Sequence, residues 1–251
     1  VDNDTLKSLI QGLDELEKCE KTIENISDFN FILFFYCINR TFNKDYENAI
    51  EILDKRHKYF STGDVDQEEV NNYYTFFSEI LSEYASFLFS NMENTANPKI
   101  VKLLNHALYL LKPYKQINDE MKMRNARLYS DLANYYSCIS DLSQAILYCD
   151  SINLLMGENP PSLFRPNNAN YDMNYLAVLN TQSLIYSQIG NYNLSAYLKA
   201  WVFAIKDIYQ IEVSPQEYAH FMSLVPDSIE RNIKLCNRRS EERRVGKECR
   251  S

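Results

Sequence analysis

Lys44-Asp45-Tyr46-Glu47-Asn48-Ala49-Ile50, Ser140-Asp141-Leu142-Ser143-Gln144-Ala145-Ile146 and Gly190-Asn191-Tyr192-Asn193-Leu194-Ser195-Ala196 repeat one design. Each has a tight polar turn, then a large residue (Tyr46, Leu142, Tyr192), then a small residue three positions later (Ala49, Ala145, Ser195). Apolar residues recur at helical spacing on both sides of each turn, so each turn joins two helices. The large residue is expected to wedge between the paired helices, and the small one to let the two backbones approach.

Working outward, helical periodicity runs through nearly the whole chain. Leu6, Leu9, Ile10, Leu13 and Leu16 share one face of an opening helix. A second helix is expected over about 28–42, capped by Ser27 or Asp28. Its run Phe31-Ile32-Leu33-Phe34-Phe35-Tyr36 is apolar almost all round, which predicts a helix sandwiched between neighbours. Further helices are expected over about 45–59, 66–92, 98–111, 119–139, 141–156, 171–189 and 192–211. Gly63 supplies a stop, Pro98 fits a first helical turn, and Pro113 ends that helix. Pro160, Pro161 and Pro166 mark 157–168 as the one long loop, and short helices are expected after Pro215 and after Pro226.

Composition excludes several classes. The chain has 251 residues, 19 Tyr and 13 Phe, far too aromatic for a solvated coil. Only 5 Gly and 7 Pro are too few for the frequent turns of a β-sandwich or barrel. The longest apolar run, Phe31 to Ile38, falls well short of the ~20 residues that a bilayer core requires, so no membrane insertion is expected. A formal charge of -8 disfavours nucleic acid as a partner, since phosphate binding needs clustered Lys and Arg. The chain opens at Val1 with no signal-peptide pattern. It ends in Arg239-Ser240-Glu241-Glu242-Arg243-Arg244-Val245-Gly246-Lys247-Glu248-Cys249-Arg250-Ser251, which looks like an in-frame translation of a sequencing-library adapter. Residues 238–251 are therefore set apart as a non-native tail expected to be disordered, and 1–237 are read as the folded unit. Cys19, Cys37, Cys138, Cys149 and Cys236, scattered and odd in number, read as reduced core thiols of a cytoplasmic protein.

The fold expected is all-α: an irregular TPR-like α-solenoid of stacked antiparallel helix pairs. The paired-helix turns follow tetratricopeptide logic. Tyr46, Leu142 and Tyr192 lie 96 and then 50 residues apart, however, and a regular array would repeat at about 34.

No enzyme announces itself. His57, His106 and His220 fall in three different segments without metal-ligand spacing, and Cys37 and Cys138 are expected to be buried without an adjacent base. The glycines are too few to cradle a phosphate. Asp64, Asp66, Glu68 and Glu69 resemble the start of a calcium loop, but Glu69 stands where the sharp turn needs Gly, and Thr75 where a bidentate Glu belongs. Complementing a helix N-terminus explains those carboxylates. No metal, cofactor or small-molecule substrate is expected. Tyr73-Tyr74, Tyr135-Tyr136 and Trp201-Val202-Phe203 lack basic residues between them and read as helix packing, not as stacking platforms for bases.

Particular stretches resemble a known family. His106-Ala107-Leu108-Tyr109-Leu110-Leu111-Lys112-Pro113, then Asn125-Ala126-Arg127-Leu128-Tyr129-Ser130-Asp131-Leu132-Ala133-Asn134-Tyr135-Tyr136, then Asp141-Leu142, are similar to the C-terminal half of the KIF-binding protein (kinesin-binding protein) family. So is the ending Met222-Ser223-Leu224-Val225-Pro226-Asp227-Ser228-Ile229-Glu230-Arg231. The matches keep the family's order over about 28–236, while polar Asn and Ser replace many family residues and the family's N-terminal half is missing. The resemblance implies a TPR-like solenoid that binds kinesin motor domains, blocks their attachment to microtubules and so regulates transport in the cytoplasm, associated with the cytoskeleton. A generic scaffold subunit of another cytoplasmic complex is the alternative. The resemblance isolates no contact residues. On geometry alone the polar hairpin tips Lys44, Asp45, Ser140, Asp141, Asn191 and Asn193 are candidates for one binding edge. A solenoid cut in its middle exposes an uncapped apolar face, so self-association is expected.

Overall fold

The computed structural model describes residues 2–62, 64–91, 96–113, 118–157 and 169–225, the side chains of 169–171 excepted. These form ten helices: α1 (Asn3–Leu16), α2 (Ile23–Phe42), α3 (Tyr46–Phe60), α4 (Gln67–Ser90), α5 (Pro98–Leu111), α6 (Asp119–Cys138), α7 (Leu142–Met156), α8 (Ala169–Gln188), α9 (Tyr192–Ile208) and α10 (Pro215–Leu224). No strand occurs among the described residues. The expected helix after Pro226, the stop at Gly63, most of the loop after Gly157, Cys236 and the tail lie outside them.

Two boundaries differ from the sequence reading, each for a local reason. The second helix starts at Ile23, not near residue 28, because Thr22 caps it, its hydroxyl accepting from the Asn25 amide at 3.2 Å. The ninth stops at Ile208 because Gln210 takes φ +54°, a left-handed conformation that closes the last turn.

Helices pack as α2/α3, α4/α5, α6/α7 and α8/α9, and each pair rests on the next, α2 against α4 and α6 along α8. The core runs unbroken through this stack because α6 faces both ways. Its Leu128, Leu132 and Tyr135 join the apolar core of α1–α5, whereas Met123, Ala126 and Ala133 join that of α7–α9. Such stacking of hairpins, each burying the face of the last, is the solenoid arrangement.

The small residues of the repeated turn lie where two helices cross. Cys37 and Ala49, Ala133 and Ala145, and Ser183 and Ser195 are buried pairs, each twelve residues apart across one hairpin. The Cys37 thiol reaches the Ala49 carbonyl at 3.7 Å. Tyr46, expected to wedge within its own pair, packs its ring instead on the following pair, stacked on Tyr84 at 5.0 Å and tilted against Phe87 at 5.4 Å between ring centres. At Tyr192 the wedge fails outright: this ring is 54% exposed. The next described element, α10, packs instead through Phe221 on Phe203, further along α9, so among the described residues no following helix pair receives Tyr192.

Charge fastens the first helix. Arg56 of α3, buried, reaches Asp14 of α1 and, at 3.4 Å, Glu17 at that helix's C-cap. At the other end Glu217 completes a capping box with Ser214 and accepts from Lys206 of α9 at 2.8 Å, which docks α10.

Candidate partner-binding surface

The three repeated turns close in the same way. Lys44, Ser140 and Gly190 have φ +60°, +64° and +80°. The amides of Asp45, Asp141 and Asn191 bond back to the carbonyls of Arg40, Tyr136 and Tyr186 at 2.9, 2.9 and 2.8 Å. This pattern satisfies carbonyls that the ending helix would otherwise leave open. Asp141 and Asn191 then cap the next helix, accepting from the Gln144 and Leu194 amides. Asp45 makes no such cap and instead accepts from Arg40 and Asn48 side chains.

Three of the six tip residues are thus spent on the turns themselves, whereas Lys44, Ser140 and Asn193 stand exposed. The Lys44 ammonium lies 5.6 Å from the Phe87 ring centre. Antiparallel alternation brings the turns to one edge. Ser137 beside the second donates to Gln188 beside the third at 2.7 Å, and Tyr46 at the first meets the end of α4. The turns line an edge and do not converge on one cleft.

Grooves lie elsewhere. Between α3, α4 and α5 a groove of about 500 Å³ is bordered by Glu47, Glu51 and Asp54, one row along α3, with Tyr84, Lys55 and Lys99. Hydrogen bonds from Lys99 and Tyr84 hold the Glu47 carboxyl below its ordinary range. Lys55 pairs with Glu51 at 2.6 Å, and Asp54 has no cation partner among the described residues. A smaller pocket of about 130 Å³ between α4, α5 and α6 holds Ser86, Ser90, Arg127, Asp131 and Asn134. Burial there pushes the Asp131 carboxyl up, against the pull of Arg127 at 3.1 Å.

Among the described residues no three or more His, Cys, Asp or Glu side chains gather to hold a metal ion. Asp66 caps α4 by accepting from the Glu68 amide at 2.7 Å, and Glu69 accepts from Asn30 of α2. His57 meets the Tyr74 hydroxyl and His106 packs edge-on against Phe77, well apart in the fold. Burial pushes the Cys149 thiol up to about 12 and the Cys37 thiol higher still, which suppresses thiolate chemistry. Cys138, expected in the core, is exposed: it is the last residue of α6, where the helix gives way to the turn. Tyr73 and Tyr135 are buried packing residues as expected, and the Tyr73 hydroxyl donates to the Leu53 carbonyl at 2.6 Å.

The sequence reading missed one surface. Phe31, Phe35, Ile38 and Phe42 form an exposed stripe on α2, although the helix was expected to be sandwiched. Helices α1, α3 and α4 cover three sides of α2 and leave the fourth open. The spacing of four, three and four residues carries the signal, since it traces one helix face. No described helix is long and apolar enough to cross a membrane. No family model matches the chain, and no curated protein matches it.

Proposed function

We propose that this chain is a non-enzymatic binding protein that engages kinesin motor domains and blocks their attachment to microtubules, acting in the cytoplasm alongside the cytoskeleton. The observation that carries this reading is the chain's net charge of -8. In the groove's α3 row, Asp54 is the carboxylate that no cation among the described residues neutralises, Glu47 and Glu51 being paired with Lys99 and Lys55. Tubulin is acidic, so the surface that a motor presents to it is basic. An acidic solenoid face attracts that same surface and competes for it. Such complementarity speeds encounter and selects partners more than it sets final affinity. The resemblance of the 106–142 and 222–231 stretches to the KIF-binding protein family supports the choice of partner.

The test is capture of purified motor domains by the chain, followed by co-sedimentation of the motors with microtubules. The expected result is motor retained in the supernatant, with the effect fading as salt rises. Unchanged microtubule affinity for every motor tried would refute the inhibitor role. Recovery of a multi-subunit assembly lacking any motor would favour the scaffold alternative.

A further inference from the structure

The exposed stripe on α2 is unusual among the surfaces of this molecule. Phe31 is 71%, Phe35 45%, Ile38 42% and Phe42 83% exposed, and Phe31 stacks on Phe35 at 6.4 Å. Together they present on the order of 450 Å² of side chain, within the size range of functional apolar patches. We propose that this stripe is a self-association face, on which α2 of a second copy lies antiparallel. The proposal stands independently of the motor-binding reading.

The spacing is self-complementary. With a two-fold axis between Phe35 and Ile38, Phe31 of one protomer faces the partner's Phe42, and Phe35 faces the partner's Ile38. Both contacts then occur twice, as a closed isologous pair requires. Charge follows the same register. Asp28 and Glu24 lie N-terminal to the stripe on the same helix face, and Lys44 lies just beyond its C-terminal end. Antiparallel packing places Lys44 of each protomer against Asp28 of the other. Asp28 and Lys44 are exposed, and neither has an ion-pair partner among the described residues; the Lys44 ammonium lies 5.6 Å from the Phe87 ring centre of α4 and turns from it to reach the partner's Asp28. A parallel arrangement would put Asp28 beside Asp28 and Lys44 beside Lys44, which opposes it.

The stripe supplies somewhat over half of the ~800 Å² per partner found in standard stable interfaces. The exposed rim of Glu24, Asp28 and Lys44 adds to it, and an interface at the small end of that range predicts a reversible dimer in the micromolar range.

Sedimentation equilibrium of the full 251-residue chain from about 1 to about 100 µM reads this directly. The weight-average mass is expected to climb from 29.5 kDa toward twice that value. Phe35→Ser, at an exposed position, should weaken association by about tenfold or more while leaving helical content unchanged. Asp28→Lys and Lys44→Asp should each weaken it about three- to tenfold, and the double variant should recover most of the loss. A chain that stays monomeric throughout, or a dimer indifferent to Phe35→Ser, overturns the proposal. A double variant no tighter than either single one overturns the antiparallel register.

Discussion

Ser183 and Ser195 exchange hydrogen bonds across the crossing of α8 and α9: each hydroxyl donates to the other residue's backbone carbonyl, at 2.9 and 2.7 Å. Both side chains are buried, and the two hydroxyls lie 3.1 Å apart. Two helices meet this closely only where neither carries bulk. Ala133 with Ala145 and Cys37 with Ala49 occupy the corresponding places in other hairpins, without the hydroxyl exchange.

A larger residue at these crossings must push the helices apart. Ala145→Leu is expected to cost about 2–3 kcal/mol, the usual range for overpacking a filled core. Ser195→Ala keeps the volume and gives up the hydroxyl bonds, so it should cost about 1 kcal/mol. Urea unfolding followed by circular dichroism compares the two. A smaller loss for Ala145→Leu than for Ser195→Ala would mean that backbone approach is not what these positions protect.

The turn before each crossing makes an opposite prediction. Ser140 and Lys44 hold left-handed backbone without being glycine, whereas Gly190 does so freely. Removing the Cβ at Ser140 relieves that strain, so Ser140→Gly should raise stability by about 0.5–1 kcal/mol, and Gly190→Ala should lower it by about 1 kcal/mol. Midpoints of thermal unfolding check the signs. A destabilising Ser140→Gly would contradict the strain seen in the turn.

Much of this architecture is legible in the sequence because its signals are local. Pro98 opening α5, the polar turns at 44, 140 and 190, and Ala49, Ala145 and Ser195 all act within a few residues of themselves. What the sequence conceals depends on which elements become neighbours. The run from Phe31 to Tyr36 looks fit for burial on every side. Whether Phe31 and Phe35 are covered depends on whether a helix lies over that face, and none of the described ones does. Tyr192 fails as a wedge for the same reason, since none of the described helices packs over that ring. The tip residues were legible as turns, but not which of them the turns consume. Asp141 and Asn191 are occupied by capping bonds, which leaves Ser140 and Asn193, and Lys44 beside the Phe87 ring, exposed at the edge.

Arg56 makes a third prediction, this one about the order of unfolding. Its guanidinium is buried and ties α3 to the carboxylates of Asp14 on α1 and Glu17 at that helix's C-cap, with the exposed Lys58 adding a longer contact to Glu17. Arg56→Ala leaves Asp14 without a counter-charge and Glu17 with Lys58 alone, at 3.7 Å. Asp14 is half exposed, which softens the loss, so the expected cost is about 2 kcal/mol and not the full penalty of a buried ion. Because α1 packs mainly on α2 among the described helices, the damage should appear first as faster amide exchange over 3–16, with α6–α9 unaffected. Uniformly faster exchange along the whole chain would show instead that α1 and the distant helices unfold as one unit.

Asp131 carries the pH dependence that is simplest to isolate. Burial between α4 and α6 raises its carboxyl above the ordinary value of 3.8, and Arg127 only partly offsets this. The folded chain therefore holds the proton more tightly than the unfolded chain does. This favours the fold below about pH 4, and the advantage is lost as pH rises through the raised folded value. At neutral pH the ionised carboxylate is a burden that Asp131→Asn removes. The variant is expected to be more stable than the parent by up to about 1 kcal/mol at pH 7, since Arg127 is partly exposed and loses little when its partner becomes neutral. On acidification the two curves should converge, because a protonated Asp131 and an Asn place the same charge in the pocket. Denaturant unfolding of both proteins at a series of pH values measures the gap. If Asp131→Asn were destabilising at pH 7 with a gap that closed in acid, the Arg127 pair would outweigh the burial of the carboxylate, and this pocket would be held together by its charges.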